Sequence, residues 1–424
     1  MRDPQQFTEI LSQNDGLHRP FLDQAAGDAS HSPKQIGLGI FLTLRLVDSV
    51  ARGDEDGPGA RYLISSVKDF LGDYPPDVGE LRYLKEIAQD VENARDQSEP
   101  RFVWPSLVKY AVHLQNDCRL DQALDVLDTA LALSDGRDAV EELDTLLRRG
   151  KVLLLDSRPG EAYEVYALAE AMAERLPGSQ ESSKLLTRVG IGAALRDLDK
   201  LTEASQVLDG ARLAAAHGNH RDAWAEACRE LAITYERMGR LHESMPLRFC
   251  TFQLLTDSVD RGREIVSVAG QLRRLGWNDA ARDAFTIATS PEFEDRVQIR
   301  AMLGLLEVNA QCADRMGFER VRRRLRSLSE ELEPEDNVGL EVSLGKGYAQ
   351  FGCRGLPEKH FRKAIELAGQ HELADEKEYA ADLLAQTTAD GLFLHESKTR
   401  DYPDDRELDF IARRLRELVA ELRS

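Results

Sequence analysis

The segment LGKGYAQFG, Leu344–Gly352, contains three glycines and places Lys346 between two of them. Such a segment can be a phosphate-binding loop or a point where two helices pack closely. A phosphate loop needs G-x-x-x-x-G-K followed by Ser or Thr, and it follows a strand. Here five residues separate Gly339 from Gly345, Gly347 follows the lysine, and no strand is predicted before it. The spacing therefore favours close packing of helices.

Small residues of this kind recur along the chain at intervals of 35 to 42 residues, at Ala111, Gly150, Gly192, Ala232, Ala269, Ala310 and Gly345. A second set follows about 12 positions later, at Ala123, Ala162, Ala204, Ser244, Ala281 and, degenerately, Arg322 and Pro357. Antiparallel helices joined by a short turn come close only where their side chains are small. Because one hairpin cannot bury its apolar face alone, the pattern predicts about seven stacked hairpins.

The rest of the sequence is typical of helices. Apolar residues recur at helical spacing, Ala, Leu, Glu and Arg fill the positions between them, and signals for strands are nearly absent. Large side chains are predicted to occupy the space beside the small residues, namely Leu127, Tyr166, Leu208, Phe285 and Phe361. An all-α fold follows from these observations.

Composition restricts the classes of partner. With 55 Lys and Arg against 75 Asp and Glu, the chain of 424 residues has a net charge of −20, which disfavours nucleic acid. It lacks a run of about 20 apolar residues, so no membrane partner is predicted. The first residues, MRDPQQFTEI, do not resemble a secretory signal, and the five cysteines are scattered without a C-x-x-C pair. These features predict a cytoplasmic protein.

Two segments resemble the tetratricopeptide repeat (TPR), whose pattern is W-x2-L-G-x2-Y followed by A-x3-F-x2-A. They are LAITYERMG at Leu231–Gly239, and LGKGYAQFG together with HFRKAIEL at His360–Leu367. The resemblance covers residues 104–371. The repeats are longer than 34 residues almost everywhere, which is similar to the long-repeat bacterial type, and ERVRRRLRSL at Glu319–Leu328 departs from the pattern of a second helix. The resemblance implies a right-handed α-solenoid of TPR-like hairpins.

Four regions are predicted from these patterns. Residues 1–34 form an irregular N-terminal segment, 35–100 a helical segment, 101–374 the repeat array and 375–424 C-terminal capping helices. The last helix carries one apolar stripe, formed by Leu408, Ile411, Leu415, Leu418 and Leu422. That stripe either covers the last repeat or forms a homodimer contact. The N-terminal helices either cap the array or provide a separate docking surface.

The sequence offers no arrangement typical of an enzyme. G-x-S-x-G, H-E-x-x-H and a Ser/His/Asp grouping are all missing from it. The pair His217 and His220 has a spacing that can bind a metal, but it lacks a third ligand in the sequence and is typical of a polar turn. We therefore expect no catalytic residues, no metal site and no cofactor.

The resemblance implies a binding groove lined by one stripe of each first helix. In a chain of net negative charge, that stripe carries mostly cations and only three acids, Asp197, Glu230 and Glu236. The residues predicted to contact a partner are Lys109, Asn116, Arg148, Lys151, Arg196, Arg229, Arg237, Arg273 and Arg274, and Lys346 lies on the same stripe. Because arginine binds carboxylates in a bidentate manner, an acidic peptide or a C-terminal carboxylate is the expected ligand.

The sequence therefore predicts a non-catalytic scaffold or adaptor that binds a protein or peptide. The alternative is a regulatory subunit that senses a peptide or small ligand and changes the shape of its superhelix on binding. A solvated and internally paired helix face is the simpler explanation of the cationic stripe, and the sequence does not separate these possibilities.

Overall fold

The computed structural model describes residues 18–26, 32–53, 58–72, 79–97, 99–134, 139–176, 181–328, 332–390 and 405–422. Within these residues the chain consists of α-helices, one short 3₁₀ helix at Pro100–Val103 and no strand. None of the described helices has the length and apolar character needed to cross a membrane. The predicted all-α fold is confirmed.

The α-helices, numbered in chain order, are α1 Arg19–Ala26, α2 Ser32–Ala51, α3 Pro58–Gly72, α4 Leu81–Gln97, α5 Trp104–Asn116, α6 Leu120–Ser134, α7 Ala139–Leu155, α8 Pro159–Ala173, α9 Glu181–Asp197, α10 Leu201–His217, α11 Arg221–Arg237, α12 Leu241–Leu254, α13 Ser258–Arg274, α14 Asn278–Ala288, α15 Asp295–Gln311, α16 Arg315–Ser327, α17 Pro334–Gln350, α18 Leu356–Gln370, α19 Ala374–Asp390 and α20 Arg406–Leu422. From α5 to α18 they pair in order into seven hairpins, hairpin 1 (α5 and α6) to hairpin 7 (α17 and α18). Each hairpin has a first and a second helix, as the TPR-like pattern predicts.

Glycines in the first helices lie where a large side chain of the second helix fits. A Cβ atom on Gly150 would lie 2.5 Å from the ring of Tyr166, and one on Gly345 would lie 2.5 Å from the ring of Phe361. In hairpin 4 the same close approach lets Ser244 donate a hydrogen bond to the carbonyl of Ala232, at 2.8 Å. Small residues are therefore present because the helices pack at these points.

The segment around Lys346 is part of this packing. Gly345, Lys346 and Gly347 all lie inside α17, and Gly352 ends the hairpin's first helix with a φ of 68°. Such a left-handed conformation is easiest for glycine. The interpretation as close helix packing is confirmed, because these residues form a helix and not a loop.

Every hairpin turn uses the same hydrogen bond. In six hairpins the residue seven positions after the small residue has a positive φ, and in hairpin 6 that residue is Ala313. In all seven hairpins the next residue donates its N–H to the carbonyl five positions earlier at 2.8 or 2.9 Å. This is the pattern of a Schellman C-cap. The residues with positive φ are Cys118, Ser157, Asp199, Gly239, Gly276, Ala313 and Gly352.

This turn corrects the predicted alignment of hairpin 6. Counting back seven positions from Ala313 gives Leu306, so Leu306 and not Ala310 corresponds to the small residue of the other hairpins. The contact position of the second helix is then Phe318 instead of Arg322, and the ring of Phe318 lies against Gly347 of hairpin 7. The intervals to the neighbouring hairpins become 37 and 39 residues, in place of 41 and 35. Ala310 misled the alignment because it is small and one helical turn away.

The chain divides into two compact units, Met1–Ala223 and Trp224–Ser424. In unit 1, helix α1 corrects the prediction that residues 1–34 are irregular. Phe21 is fully buried in the core that α1 shares with α2. His18, just before α1, makes hydrogen bonds of 2.6 Å to Asp125 of α6 and 3.2 Å to Asp48 of α2. Residues 1–17 and 27–31 lie outside the described part of the chain, and so does that part of the prediction.

A buried histidine thus connects the start of the described chain with hairpin 1. Burial acts most strongly and would lower the pKa of His18, but the hydrogen bonds and charges of Asp125 and Asp48 outweigh it and raise the pKa to about 9. His18 is therefore protonated at neutral pH. The two carboxylates hold this charge between α2 and α6.

The helical segment α2–α4 packs on hairpin 1. Tyr110 of α5 donates a hydrogen bond of 2.5 Å to Glu80, which lies just before α4, and Arg119 forms an ion pair of 2.6 Å with the same carboxylate. Lys109 of α5 reaches Glu86 of α4 at 2.6 Å. Of the two alternatives for this segment, the contacts favour a cap on the first hairpin.

The C-terminal helices of unit 2 do not both cap the array. Helix α19 packs on α18 of the last hairpin, but α20 packs on α12 and α14, the second helices of hairpins 4 and 5. Its residues Leu408, Ile411, Leu415 and Val419 are buried in the same apolar cluster as Met245 and Phe249 of α12 and Phe285 of α14. The capping prediction is therefore wrong for α20. Three residues of the apolar stripe predicted for a homodimer, Leu408, Ile411 and Leu415, are thus covered within the chain, whereas Leu422 is 49% exposed.

Candidate functional site

The first helices α11, α13, α15 and α17 of unit 2, together with α19 after the last hairpin, carry a continuous set of polar contacts. We call this surface the first-helix face of unit 2, and we define it by Glu236, Gln271, Arg273, Arg274, Glu307, Ser343, Lys346 and Tyr379. Successive first helices pack on one another from α13 to α19. Polar side chains at neighbouring positions of adjacent helices can therefore meet.

Glu307 connects three of these helices. Its carboxylate forms an ion pair of 2.6 Å with Arg273 of α13 and lies 3.7 Å from the ammonium group of Lys346 on α17. The hydroxyl of Ser343, also on α17, donates a hydrogen bond of 3.4 Å to it. The Glu307 side chain is only 18% exposed, so α15 holds a largely buried acceptor between two cations.

Glu236 has the corresponding role one step earlier in the array. It accepts hydrogen bonds of 2.8 Å from Arg248 of α12 and from Arg274 of α13, and one of 3.0 Å from Gln271 of α13. Burial alone would raise the pKa of Glu236, but the hydrogen bond and charge of Arg248, together with Gln271 and Arg274, lower it below its ordinary value. Glu236 is therefore ionised at neutral pH, with two cations beside it.

An exposed tyrosine ends this set of contacts. Tyr379 of α19 is 49% exposed, and the ammonium group of Lys346 lies 2.6 Å from its hydroxyl and 5.0 Å from the centre of its ring. A cation near an exposed aromatic ring offers a ligand both charge and a flat apolar surface. The end of the first-helix face can thus contact an acidic group and an apolar group of the same peptide.

Beneath this face lies a buried ion pair in hairpin 4. Arg248 occupies the position that Tyr166 and Phe361 occupy in their hairpins, and it contacts Glu264 of α13 at 3.1 Å as well as Glu236. The side chains of Arg248 and Glu264 are each 9% exposed. Burial raises the pKa of Glu264, and the charge and hydrogen bond of Arg248 only partly offset this. The interior of hairpin 4 is therefore polar where that of hairpin 7 is apolar.

The cations predicted for unit 1 differ in their surroundings. Lys109 pairs with Glu86 of α4, and Arg148 pairs with Asp144 of its own helix at 2.9 Å. Arg196 is only 11% exposed and pairs with Asp197 at 2.9 Å, so it offers the least surface to a partner. Lys151 and Asn116 are exposed. The predicted role of this set in binding stays a prediction.

The cations predicted for unit 2 are distributed over α11 and α13. Arg229 contacts Glu226 and lies 3.7 Å from Glu230, while Arg237 is exposed at the end of α11. Arg273 and Arg274 are the two predicted residues that the structure places in the first-helix face of unit 2. Much of the predicted positive stripe is thus paired with acids of the same chain, as its simpler explanation requires.

The sequence prediction missed Glu307, which contacts three helices. The reason is that no stripe residue was predicted in hairpin 6, whose second helix departs from the repeat pattern. Counting from Leu306 places Glu307 at the position of Lys151 and Lys346 in their hairpins. A requirement that the intervals between hairpins be even would have found it.

The histidine pair lies at the join between two hairpins. His217 is the last residue of α10, and His220 directly precedes α11. Searched within the described ranges, the chain shows no group of three His, Cys, Asp or Glu side chains placed to hold a metal ion. The location in a turn agrees with the prediction made from the sequence.

Comparison with known proteins gives only distant similarities. No protein-family model matches the chain, and no curated protein matches it in sequence. Among solved structures, it is similar to the apo form of RapI with 10% identity and a TM-score of 0.46, over 79% of this chain and 98% of that one. The apo form of the quorum sensor NprR from B. thuringiensis has 11% identity and a TM-score of 0.44, over 83% of this chain and 99% of that one. Pseudomonas aeruginosa pilF has 16% identity and a TM-score of 0.39, over 53% of this chain and 91% of that one.

Identities and TM-scores this low assign no function to the chain. Its repeat architecture is visible in its own helices, which form hairpins with small residues at the contacts and a common turn. By these features the chain is a TPR-like helical-repeat protein.

Proposed function

We propose that the chain is a non-catalytic adaptor and that the first-helix face of unit 2 binds an extended peptide segment of a partner protein. The observation that carries this proposal is the set of contacts that runs from Glu236 through Glu307 to Tyr379. It spans successive first helices and includes side chains that are both fixed in position and partly exposed. A surface of this kind can contact several residues of one extended chain.

The charges on this surface favour carboxylate groups of the ligand. Glu236 lies between Arg248 and Arg274, and Glu307 lies between Arg273 and Lys346, so each carboxylate is accompanied by two cations. The side chain of Arg274 is 51% exposed and that of Lys346 is 35% exposed. A guanidinium group has five N–H donors, and one carboxylate does not use them all. An acidic peptide would supply the remaining acceptors.

The proposal is tested by selecting ligands from a phage-displayed peptide library on the full chain. Affinities of the selected peptides are then measured by isothermal titration calorimetry for the wild type and for Arg274→Ala/Lys346→Ala/Tyr379→Ala. We expect the wild type to enrich peptides with Asp or Glu, and the variant to bind them at least about tenfold more weakly, since each lost charged contact contributes on the order of 1 kcal/mol.

A matched control removes the same three residue types elsewhere. Arg263→Ala/Lys68→Ala/Tyr62→Ala replaces exposed side chains of α13 and α3 that are not part of the first-helix face, and it should bind like the wild type. Selected peptides that bind equally well to the wild type and to the Arg274, Lys346 and Tyr379 variant would refute the proposed surface.

A second function, that of a ligand-sensing regulatory subunit, is favoured by the polar interior of hairpin 4. Glu236 contacts Arg274 on the exposed face and Arg248 within the hairpin, so a ligand that attracts Arg274 also changes the charges around Arg248. Ion pairs can exchange partners, whereas an apolar side chain in a close-fitting space cannot.

Small-angle X-ray scattering separates the two functions. For a sensor we expect the radius of gyration to change when a selected peptide binds, and we expect Arg248→Met to abolish that change without abolishing binding. For an adaptor the radius of gyration should change only by the contribution of the bound peptide itself.

A further inference from the structure

Helix α16 has a charge opposite to that of the chain as a whole. Its 13 residues, RMGFERVRRRLRS, include six arginines and one glutamate, whereas the whole chain has 20 more acidic than basic residues. The helix is the second helix of hairpin 6, so it lies outside the first-helix face of unit 2. The peptide-binding function proposed above does not use it.

The arginines of α16 fall into two groups. Arg322 pairs with Glu319 of the same helix at 2.7 Å, and Arg326 pairs with Glu341 of α17 at 2.8 Å. Arg315, Arg320 and Arg324 are exposed and make no ion pair with any of the residues that the structure describes. Glu330 and Glu331 follow the helix and lie outside the described residues.

Arg323 completes the exposed group. Its Nε donates a hydrogen bond of 3.3 Å to the carbonyl of Glu319, which leaves its charge without a carboxylate among the described residues. Arg320, Arg323 and Arg324 are spaced three and four residues apart, so they lie on one side of the helix. We call these three residues the arginine face of α16. The exposed side chain of Met316 lies one turn before Arg320, at 78% exposure.

The fold does not depend on the arginine face. Phe318 and Leu325 attach α16 to the hairpin core and are fully buried, and the ring of Phe318 packs edge-on against Tyr348 of α17 at 5.4 Å. Asp314 caps the start of the helix by accepting a hydrogen bond of 2.9 Å from the N–H of Gly317. Three like charges at adjacent positions repel one another, so the exposed arginines make no evident contribution to stability.

The positive surface continues onto α18. Glu341 is 2% exposed and binds Arg326 from one side and both Lys363 at 3.0 Å and His360 at 2.6 Å from the other. The same carboxylate therefore holds the end of α16 close to α18. Lys359 and Arg362 are exposed on α18, where Arg362 pairs with Glu358 at 3.6 Å. Cations on two neighbouring second helices can thus meet one ligand.

We propose that the arginine face of α16 is a second docking site, which binds an acidic, Asp- and Glu-rich segment of a partner protein. Charge complementarity identifies the ligand, since guanidinium groups bind carboxylates in a bidentate manner. The helix is about 20 Å long at 1.5 Å per residue, which matches a short extended segment. A chain with one docking site on its first helices and another on α16 can hold two partners at once.

A longer polyanion fits this surface less well. A nucleic acid duplex carries one negative charge per about 1.7 Å and would extend past α16 onto the acidic remainder of the chain, which repels it. A short acidic protein segment ends where the positive surface ends. Nucleic acid and anionic membranes are therefore outcomes of the test and are not the proposed ligands.

The test uses the full chain and a fluorescein-labelled peptide of about ten residues, most of them Asp or Glu, in a fluorescence anisotropy titration. We expect saturable binding that weakens as salt increases, because exposed charges are screened. Arg320→Glu/Arg323→Glu/Arg324→Glu should bind the peptide at least tenfold more weakly. Arg320→Gln/Arg323→Gln/Arg324→Gln, which removes the charges without reversing them, should show a smaller loss and replaces the first variant if that one does not fold.

The matched control is Lys68→Glu/Arg188→Glu/Arg263→Glu, which changes the net charge by the same amount at three exposed positions elsewhere. An equal loss of affinity in this variant would show that only net charge matters, and it would overturn the proposal. Failure of the wild type to bind the acidic peptide would overturn it as well.

Two further titrations distinguish the source of the negative charge and the site. A single-stranded oligonucleotide, or vesicles containing phosphatidylserine, that bind more tightly than the peptide and lose binding in the arginine variant would assign the surface to phosphate groups instead. Because the first-helix face is itself proposed to bind acidic peptides, the titration is repeated in Arg274→Ala/Lys346→Ala/Tyr379→Ala, which should still show the saturable binding that the substitutions in α16 remove. A loss in that variant alone would place the acidic peptide on the first-helix face and refute the second site.

Discussion

Hairpins 4 and 7 fill the same structural position with opposite chemistry. In hairpin 7 the ring of Phe361 lies against Gly345 and is fully buried. In hairpin 4 the corresponding residue is Arg248, which follows Ala232 by the same number of residues as Phe361 follows Gly345. Its guanidinium group forms ion pairs with Glu236 and Glu264. Both hairpins nevertheless have the same turn and the same hydrogen bond after their first helix.

The difference shows which features of the repeat are fixed. The turn and the close approach of the two helices are common to both hairpins, while the residue between the helices is either apolar or paired with acids. Removing one partner of a buried ion pair is costly, but replacing all of its members with apolar residues of similar volume is often neutral or stabilising. Stability alone therefore does not explain the buried Arg248 of hairpin 4. Its contact with Glu236, which also binds Arg274 on the first-helix face, offers an explanation.

The largest effect is expected from breaking the polar contact. Arg248→Ala should lower the free energy of unfolding by about 3–5 kcal/mol, because it leaves Glu236 and Glu264 without their shared partner. Chemical denaturation monitored by circular dichroism measures this. Arg248→Met, which keeps most of the volume but also leaves both carboxylates without this partner, should cost nearly as much, whereas Arg263→Ala at an exposed site should cost about 0.5 kcal/mol or less. A much smaller cost for Arg248→Met than for Arg248→Ala would mean that lost side-chain volume, and not the ion pair, is the cause.

The dependence on pH should differ in sign between the two hairpins. Burial would raise the pKa of Glu341 in hairpin 7, but the hydrogen bonds of His360 and Lys363 and the charge of Arg326 lower it to about 2, compared with 4.5 for an ordinary glutamate. A depressed pKa stabilises the fold above pH 4.5, and this contribution is lost as the pH falls from 4.5 towards 2. Glu341→Gln should therefore be less stable than the wild type by about 3 kcal/mol at pH 7, with the gap closing towards pH 2.

The matched variant in hairpin 4 is Glu264→Gln. Because burial raises the pKa of Glu264, its ionised form is disfavoured in the folded chain, and the wild type should gain stability relative to this variant as the pH falls. Thermal unfolding of both variants and the wild type between about pH 3 and pH 7 tests the contrast. The contrast would be contradicted if the stability difference between variant and wild type changed with pH in the same direction for both variants.

A smaller effect is expected from filling the gap in hairpin 7. In Gly345→Ala the new Cβ would lie 2.5 Å from the ring of Phe361, so the ring must move. The expected loss of about 1–2 kcal/mol is the cost of overpacking, reduced by the better helix propensity of alanine. Gly210→Ala is the control, because Gly210 lies inside α10 with nothing within 4 Å, and it should gain about 0.5–1 kcal/mol. A combination with Phe361→Leu should recover part of the loss, and additive effects would show that the ring is not responsible.

Local spacing was enough to predict the hairpins, because the small residue, the large residue and the turn all lie within one hairpin. Gly345 and Phe361 were predicted in this way to form the contact of hairpin 7. The packing of α20 on α12 and α14 could not, since an apolar stripe shows that a helix is covered but not by which surface. Helix α1 was missed for a similar reason, because it is short and is held by the tertiary contacts of His18 and Phe21.

The candidate site was harder to predict than the fold. The stripe included Arg273 and Arg274, but it could not show that acids of adjacent helices pair with them. Those acids come from other hairpins, and Glu307 lies in hairpin 6, for which no stripe residue was predicted. Ion pairs between helices depend on the alignment of every repeat at once, whereas each hairpin depends only on its own.

The smallest effect concerns the turn that hairpins 4 and 7 share with the others. Hairpins 4, 5 and 7 have glycine at the position of positive φ, whereas hairpin 6 has Ala313 with a φ of 57°. A left-handed conformation costs a residue with a side chain about 1 kcal/mol. Ala313→Gly should therefore raise the free energy of unfolding by about 0.5–1 kcal/mol, and Gly352→Ala in hairpin 7 should lower it by a similar amount. Urea denaturation of both variants measures these two changes in the free energy of unfolding. A loss of stability in Ala313→Gly would show that hairpin 6 does not use the common turn and that Leu306 is not its contact position.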